Sequence, residues 1–132
     1  MRPKILVVED DAVTRHFLLT ILEQEGCDVD LAVDGERAIG ALAQRRYDAI
    51  VLDIALPRMS GTDVMEYIAS TTPEVLASIV VVTGLEAHEV RNLFPEICET
   101  LSKPVLPARL LASVRRCIPA GSGKSLTGTF VA

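Results

Sequence analysis

With 132 residues, 49% of them hydrophobic and 23% charged, the chain fits one globular domain with a sizeable core rather than a disordered chain. A net charge of −5 argues against direct nucleic-acid binding, because phosphate backbones select basic surfaces. It suits an acidic site awaiting a cation, and plain solubility equally.

The N-terminus, MRPKILVVEDD, carries an apolar run too brief for a signal peptide, and the run ends in acid where a cleavage site would be small and neutral. That run, KILVV (4–8), reads as a strand. So do DAIVLD (48–53) and SIVVVT (78–83), since short β-branched runs without alternation suit parallel strands covered on both faces. DVDLA (28–32) alternates as a half-exposed edge strand would, and ETLSK (99–103) is the weakest of the five signals.

Helical patterns lie between them. From Asp11 to Glu25, Val13, Phe17 and Ile21 form one i, i+4 row with Leu18 and Leu22 beside it. Asp10 or Asp11 caps the start, and Gly26 follows the end. Residues 35–46 are Ala-rich with Ile39 and Leu42 inward, and residues 62–70 carry Val64, Met65 and Ile68. A short helix near 86–94 stops before Pro95. The last, 107–117, buries Leu110, Leu111 and Val114 and exposes Arg109, Arg115 and Arg116. Strand and helix alternate five times, which predicts a doubly wound α/β sandwich.

Residues 119–132, rich in Gly, Ser and Thr, are expected to form a flexible C-terminal tail or linker stub after a domain spanning 1–118. GSGKS within it lacks the earlier glycine of a phosphate loop, where Ile118 stands, and lacks the flanking strand and helix. Cys27, Cys98 and Cys117 are odd in number, widely spaced and without a C-x-x-C pair. They read as reduced thiols in a cytoplasmic protein, not as a disulfide frame or zinc site. No apolar stretch reaches membrane-spanning length, so no membrane contact is expected.

In a doubly wound sheet, ligands bind beyond the carboxyl ends of the strands. Those ends carry Glu9 and Asp10, Asp53, Thr83 and Gly84, and Lys103. Carboxylates gathered there repel by about 4 kcal/mol per pair at 4 Å and an effective dielectric near 20. A hard divalent cation with oxygen ligands, Mg²⁺ above all where phosphate is also bound, removes that cost. Metal, ammonium, hydroxyl and a carboxylate nucleophile together make a phosphoryl-transfer site. Each residue alone has a plainer reading: the N-terminal acids as helix caps, Asp53 as a turn former before Pro57, Thr83 as a strand-end hydroxyl, Lys103 as a solvated charge. Their convergence on one edge of one fold favours chemistry.

KILVVEDD, IVLDIALPRMSG, IVVVTG and LSKP, in that order, resemble the four signature segments of the response-regulator receiver domain of two-component signalling. The resemblance covers about residues 3–118. It implies a flavodoxin-like, five-stranded parallel sheet of order 2-1-3-4-5 with five helices. It also implies that Asp53 accepts a phosphoryl group from a phosphohistidine on a sensor histidine kinase or histidine phosphotransfer protein. Asp10 would bind Mg²⁺ directly and Glu9 through water, beside Asp53 and the carbonyl of Ala55. Thr83, Gly84 and Lys103 would hold the phosphoryl group, a cis peptide would join Lys103 to Pro104, and residues 59–61 would close beside the site. Such a domain catalyses only its own phosphorylation and dephosphorylation. Its further partners would be a downstream protein target or an output domain outside this chain, and a second copy as a homodimer.

Three features depart from the family's usual pattern. Glu9 stands where Asp is commoner, and Thr100 occupies the switch position where an aromatic or His is usual. FPEICET replaces a Gly-Ala before the fifth strand. In the usual pattern, that aromatic turns inward as the hydroxyl counterpart of Thr83 moves toward the phosphoryl group.

Other classes fit less well. A dehalogenase-like phosphatase needs a second acid two residues after the nucleophile, and Ala55 stands there. A flavodoxin-like electron carrier needs a Ser/Thr/Gly-rich phosphate loop where this chain has EDDAVTR. A degenerate receiver acting as an unphosphorylated interaction module is opposed by the complete set Glu9, Asp10, Asp53, Thr83 and Lys103.

Overall fold

The computed structural model describes residues 2–84, 87–119, 124 and 126, without the side chains of 87 and 88. Five strands, β1 (Lys4–Val8), β2 (Asp28–Ala32), β3 (Ala49–Asp53), β4 (Ile79–Thr83) and β5 (Glu99–Ser102), alternate with helices α1 (Ala12–Gln24), α2 (Gly35–Gln44), α3 (Gly61–Thr71), α4 (Ala87–Leu93) and α5 (Pro107–Cys117). All pairings are parallel, in the order β2-β1-β3-β4-β5. A 3₁₀ helix over Pro73–Ser78 is a sixth helical element among the described residues, one more than expected. Pro73 at its start pre-sets the backbone angle that such a turn needs.

The central strands β1, β3 and β4 are covered on both faces, while the edge strand β2 leaves Asp28 and Leu31 exposed, and the two-residue period divides the core. Leu6, Val8, Ile50, Leu52, Ile79 and Val81 face one way, against Ala38, Val64, Met65, Ile68, Val90 and Phe94. Ile5, Val7, Val51, Val80 and Val82 face the other way, against Leu18, Ile21, Leu22, Leu110, Leu111 and Val114. Burial on both sides explains why β1, β3 and β4 read as unbroken apolar runs.

Helix ends follow local chemistry. Asp11 caps α1 by accepting from the Thr14 backbone N–H at 2.8 Å and from the Thr14 hydroxyl at 2.7 Å. At the other end Gly26 has φ 84°, and the N–H groups of Gly26 and Cys27 donate to the carbonyls of Glu23 and Leu22, which closes the helix as a Schellman turn. The inward face of α1 differs from the row suggested by Val13, Phe17 and Ile21. Val13 is 79% exposed and Phe17 42%, while Leu18, Ile21 and Leu22 are buried. The inward stripe runs through 18, 21 and 22, which turns the Val13–Phe17 side of the helix outward.

The cysteine expectation is corrected. Cys98 and Cys117 form a disulfide, and only Cys27 is a free, buried thiol. A spacing of 19 residues hid the pair in sequence. The chain runs up β5 and back down α5, which returns the last helical turn to the residue just before the strand.

Of the expected flexible tail, only Pro119, Lys124 and Leu126 are described, and the rest lies outside the described residues. Those two later positions are held: Lys124 Nζ is 2.9 Å from Asp48 Oδ2, and Leu126 packs against the core on the α1/α5 side. No helix among the described residues is long and apolar enough to cross a membrane.

Candidate functional site

Register places the acidic residues. Val8 pairs with Leu52 and Asp53 with Val82, so Glu9, the residue after β1, sits level with the end of β3. Thr83 pairs with Ser102, and the Lys103 N–H donates to the Thr83 carbonyl at 2.9 Å, which brings the lysine to the same edge. Carboxylate oxygens of Glu9, Asp10 and Asp53 lie within 4.8 Å of one another. Asp10 is exposed, whereas Glu9 is 1% and Asp53 3% exposed.

Lys103 Nζ sits 3.1 Å from Glu9 Oε1 and 3.1 Å from Asp53 Oδ2. The Ala55 N–H donates to Asp53 Oδ1 at 3.0 Å, and the Asp11 N–H donates to Glu9 Oε2 at 3.3 Å. Burial pushes the Glu9 carboxyl up to about 7, assisted by its hydrogen bond with Asp53 and that group's charge; Lys103 and the Asp11 N–H pull the other way. For Lys103, burial opposes the charge, but bonds to both carboxylates outweigh it and raise its pKa. Asp11, in contact with Thr14, is held below the usual carboxylate range by the Thr14 hydroxyl and N–H.

The turn after β3 is tightly fixed. A Cβ at Gly61 would lie 2.6 Å from the Asp53 carbonyl oxygen and 2.8 Å from the Ile54 Cα, so only glycine fits there. The Gly61 N–H donates to the Ile54 carbonyl at 3.1 Å, and Ser60 with Asp63 forms a capping box at the start of α3. Thr83 is buried at the end of β4, and Gly84 beyond it is exposed with open space where a Cβ would stand. Lys103–Pro104 is a cis peptide. Thr100 is half-buried within β5 opposite Val81, two residues before the end of the strand and apart from the acidic cluster.

Two arrangements escaped the sequence reading. Arg15 Nη1 donates at 3.1 Å to the backbone carbonyls of both Glu9 and Asp10, bracing the loop that carries the acids. Its signal was its place on the first turn of α1, where side chains lean back toward the N-terminus. Asp34 caps α2 and also meets Arg58 Nη2 at 3.4 Å, which ties the β2–α2 loop to the turn after β3. An Asp directly before a helical pattern signals the cap, but nothing local reveals a partner 24 positions away.

A buried carboxylate at a strand end, two more acids beside it and an ammonium bridging two of the three form one acidic cluster at the carboxyl edge of a flavodoxin-like sheet. The family model of the response regulator receiver domain matches residues 5–115, and the chain belongs to that family. It is similar to the response regulator MprA of Mycolicibacterium vanbaalenii, 35% identical over 135 residues, a match covering 98% of this chain and 58% of that protein. The chain thus spans less than two thirds of that relative's length. Among solved structures it is similar to the receiver domain of sensor histidine kinase PA1611 from Pseudomonas aeruginosa, described with a magnesium ion coordinated in the active site cleft. That match has a TM-score of 0.79 and 29% identity, and covers 89% of this chain and 98% of the other. The Francisella response regulator 1452 receiver domain matches with TM-score 0.80 and 25% identity, over 89% and 97% of the two chains.

Proposed function

We propose that this chain is the phosphoacceptor of a two-component phosphorelay. An Asp53 carboxylate oxygen attacks the phosphorus of a phosphohistidine on a sensor histidine kinase or histidine phosphotransfer protein. The P–N bond breaks, the imidazole leaves, and an aspartyl phosphate remains. The observation that carries this reading is the pairing of buried Asp53 with Lys103 at 3.1 Å, beside two further acids. Lys103 is the cation available to a phosphoryl oxygen, and Thr83 and Gly84 border the same edge. Autophosphorylation and its reversal would be the only reactions the domain catalyses.

The donor set suits Mg²⁺: three carboxylates, all hard oxygen ligands, converge, and the Lys103 ammonium bridges two of them. Glu9, Asp10 and Asp53, with the Ala55 carbonyl, would hold the ion. Bound there, Mg²⁺ would neutralise the acids and the charge on phosphoryl oxygens. The magnesium described in the PA1611 receiver supports this assignment by likeness. Phosphorylation would alter contacts with a downstream protein, an output domain outside this chain or a second copy, with Thr100 at the switch position and the whole exchange in the cytoplasm.

Incubation with acetyl phosphate and Mg²⁺ tests the reading. One added phosphoryl mass is expected on the wild type and none on Asp53→Asn or in excess chelator. Equal labelling of the Asn variant would remove Asp53 as the acceptor.

A further inference from the structure

We propose that the Cys98–Cys117 pair is a thiol–disulfide exchange site, opened by a dithiol reductant and reclosed by a disulfide oxidant, that fastens the end of α5 to the start of β5. The cytoplasmic placement in the reading above supplies the setting: there glutathione and thioredoxin keep thiols reduced, and bridges that do form are mostly transient and redox-sensing. Cys98 is partly exposed in the turn before β5, while Cys117, the last residue of α5, is 3% exposed. A thiolate therefore reaches Cys98 first.

The exchange balances. One sulfur of the dithiol attacks the Cys98 sulfur, the bond to Cys117 breaks, and Cys117 leaves as a thiolate that takes a proton from solvent. The second sulfur of the reductant then attacks the first, releasing Cys98 as a thiol and the reductant as its own disulfide. A disulfide oxidant such as oxidised glutathione reverses both steps.

Two further observations support an exchangeable pair. The Arg116–Glu99 ion pair joins the same two elements, one residue inward from each cysteine. With Leu110, Leu111 and Val114 packed on the sheet, it keeps the opened thiols in register for reclosure. The third thiol, Cys27, is buried and pushed up to about 11, chiefly by that burial, so it contributes little thiolate to compete. The ring closed by the bridge contains Thr100, Lys103 and all of α5. Oxidation would thus restrain the segment joining the proposed phosphoryl site to the end of the last helix.

The full chain is equilibrated in glutathione buffers from oxidising to reducing, quenched with acid, and alkylated after unfolding. Mass spectrometry should count one labelled thiol at the oxidising end and three at the reducing end. The reduced form should melt lower by on the order of 10 °C, from the loop-closure entropy of a ring of about 20 residues. Amide exchange over 111–118 should rise with reduction. Cys98→Ser should hold the lower melting point in every buffer, and Cys27→Ser should leave the shift intact. Three labelled thiols in every buffer, or a bridge that dithiothreitol opens only after the protein is unfolded, would overturn the proposal. Thiol counts need no phosphodonor, so failure here is distinguishable from failure of the phosphorelay reading.

Discussion

Lys103 and Asp53 stand 50 positions apart in the chain, yet the lysine ammonium is 3.1 Å from the Asp53 carboxylate. The same nitrogen is 3.1 Å from Glu9 Oε1, so one cation balances two carboxylates that have almost no contact with solvent. The backbone makes this possible: Lys103 follows β5 directly, and its N–H is tied to the Thr83 carbonyl at 2.9 Å.

Removing that cation should expose its role. Lys103→Ala leaves two buried acids facing each other, and a loss on the order of 1–3 kcal/mol is expected in Mg²⁺-free buffer. Added Mg²⁺ should recover more stability in the variant than it adds to the wild type. Urea midpoints with chelator and with Mg²⁺ provide the comparison, and identical midpoints in chelator would refute charge balancing by the lysine.

Glu9 sets a pH dependence in the metal-free protein. Its carboxyl is raised from 4.5 to about 7 in the fold, so the fold favours the protonated form. The resulting contribution is fully present below pH 4.5 and is lost as pH rises through 7. Relative to Glu9→Gln, which stays neutral, the wild type should lose on the order of 2–3 kcal/mol between pH 4.5 and 7.5. Urea midpoints of both proteins across that window are the check. A constant gap between them would mean that Glu9 does not titrate there.

Gly61 and Gly40 make an opposed pair. Alanine at Gly61 drives a Cβ into the backbone of Asp53 and Ile54, so the end of β3 must shift. A loss of about 1–3 kcal/mol is expected, with phosphorylation of Asp53 at least about tenfold slower. Gly40 lies within α2 on its exposed side with nothing near the added atom, and Gly40→Ala should gain up to about 1 kcal/mol. Thermal melts and acetyl phosphate time courses of both variants test the contrast. Unchanged phosphorylation in Gly61→Ala would show that the strand end tolerates the shift.

The strand ends were legible because parallel strands buried on both faces leave an uninterrupted apolar signature, and the first charges after them point to one edge of the sheet. Glu9, Asp53 and Lys103 do come together at that edge. The inward side of α1 was not, because Val13 and Phe17 continue an apolar row on a helix whose inward stripe runs through Leu18, Ile21 and Leu22. Long-range pairings were hidden for a different reason. Arg58 with Asp34 and Cys98 with Cys117 depend on which loops and helix ends the winding brings together, and local spacing does not encode that.

Thr100 bears on how a phosphorylated site would be read by a partner. It is half-buried in β5, opposite Val81, where the resemblance leads one to expect an aromatic. Its side chain is too small to fill a space vacated beside Thr83, and β-branching restricts it to few rotamers. Coupling should instead run through Gly84, whose surroundings are open, and α4. That helix has seven residues and ends just before Phe94 and Pro95; Val90, Phe94 and Ile97 anchor the segment in the core while Leu93 is 66% exposed. So few anchors make local opening inexpensive, which suits a two-state element. Amide exchange over residues 87–98 should therefore change with a beryllium fluoride mimic to the same extent in Thr100→Ala as in the wild type. Loss of that change in the variant would make the threonine side chain itself the switch.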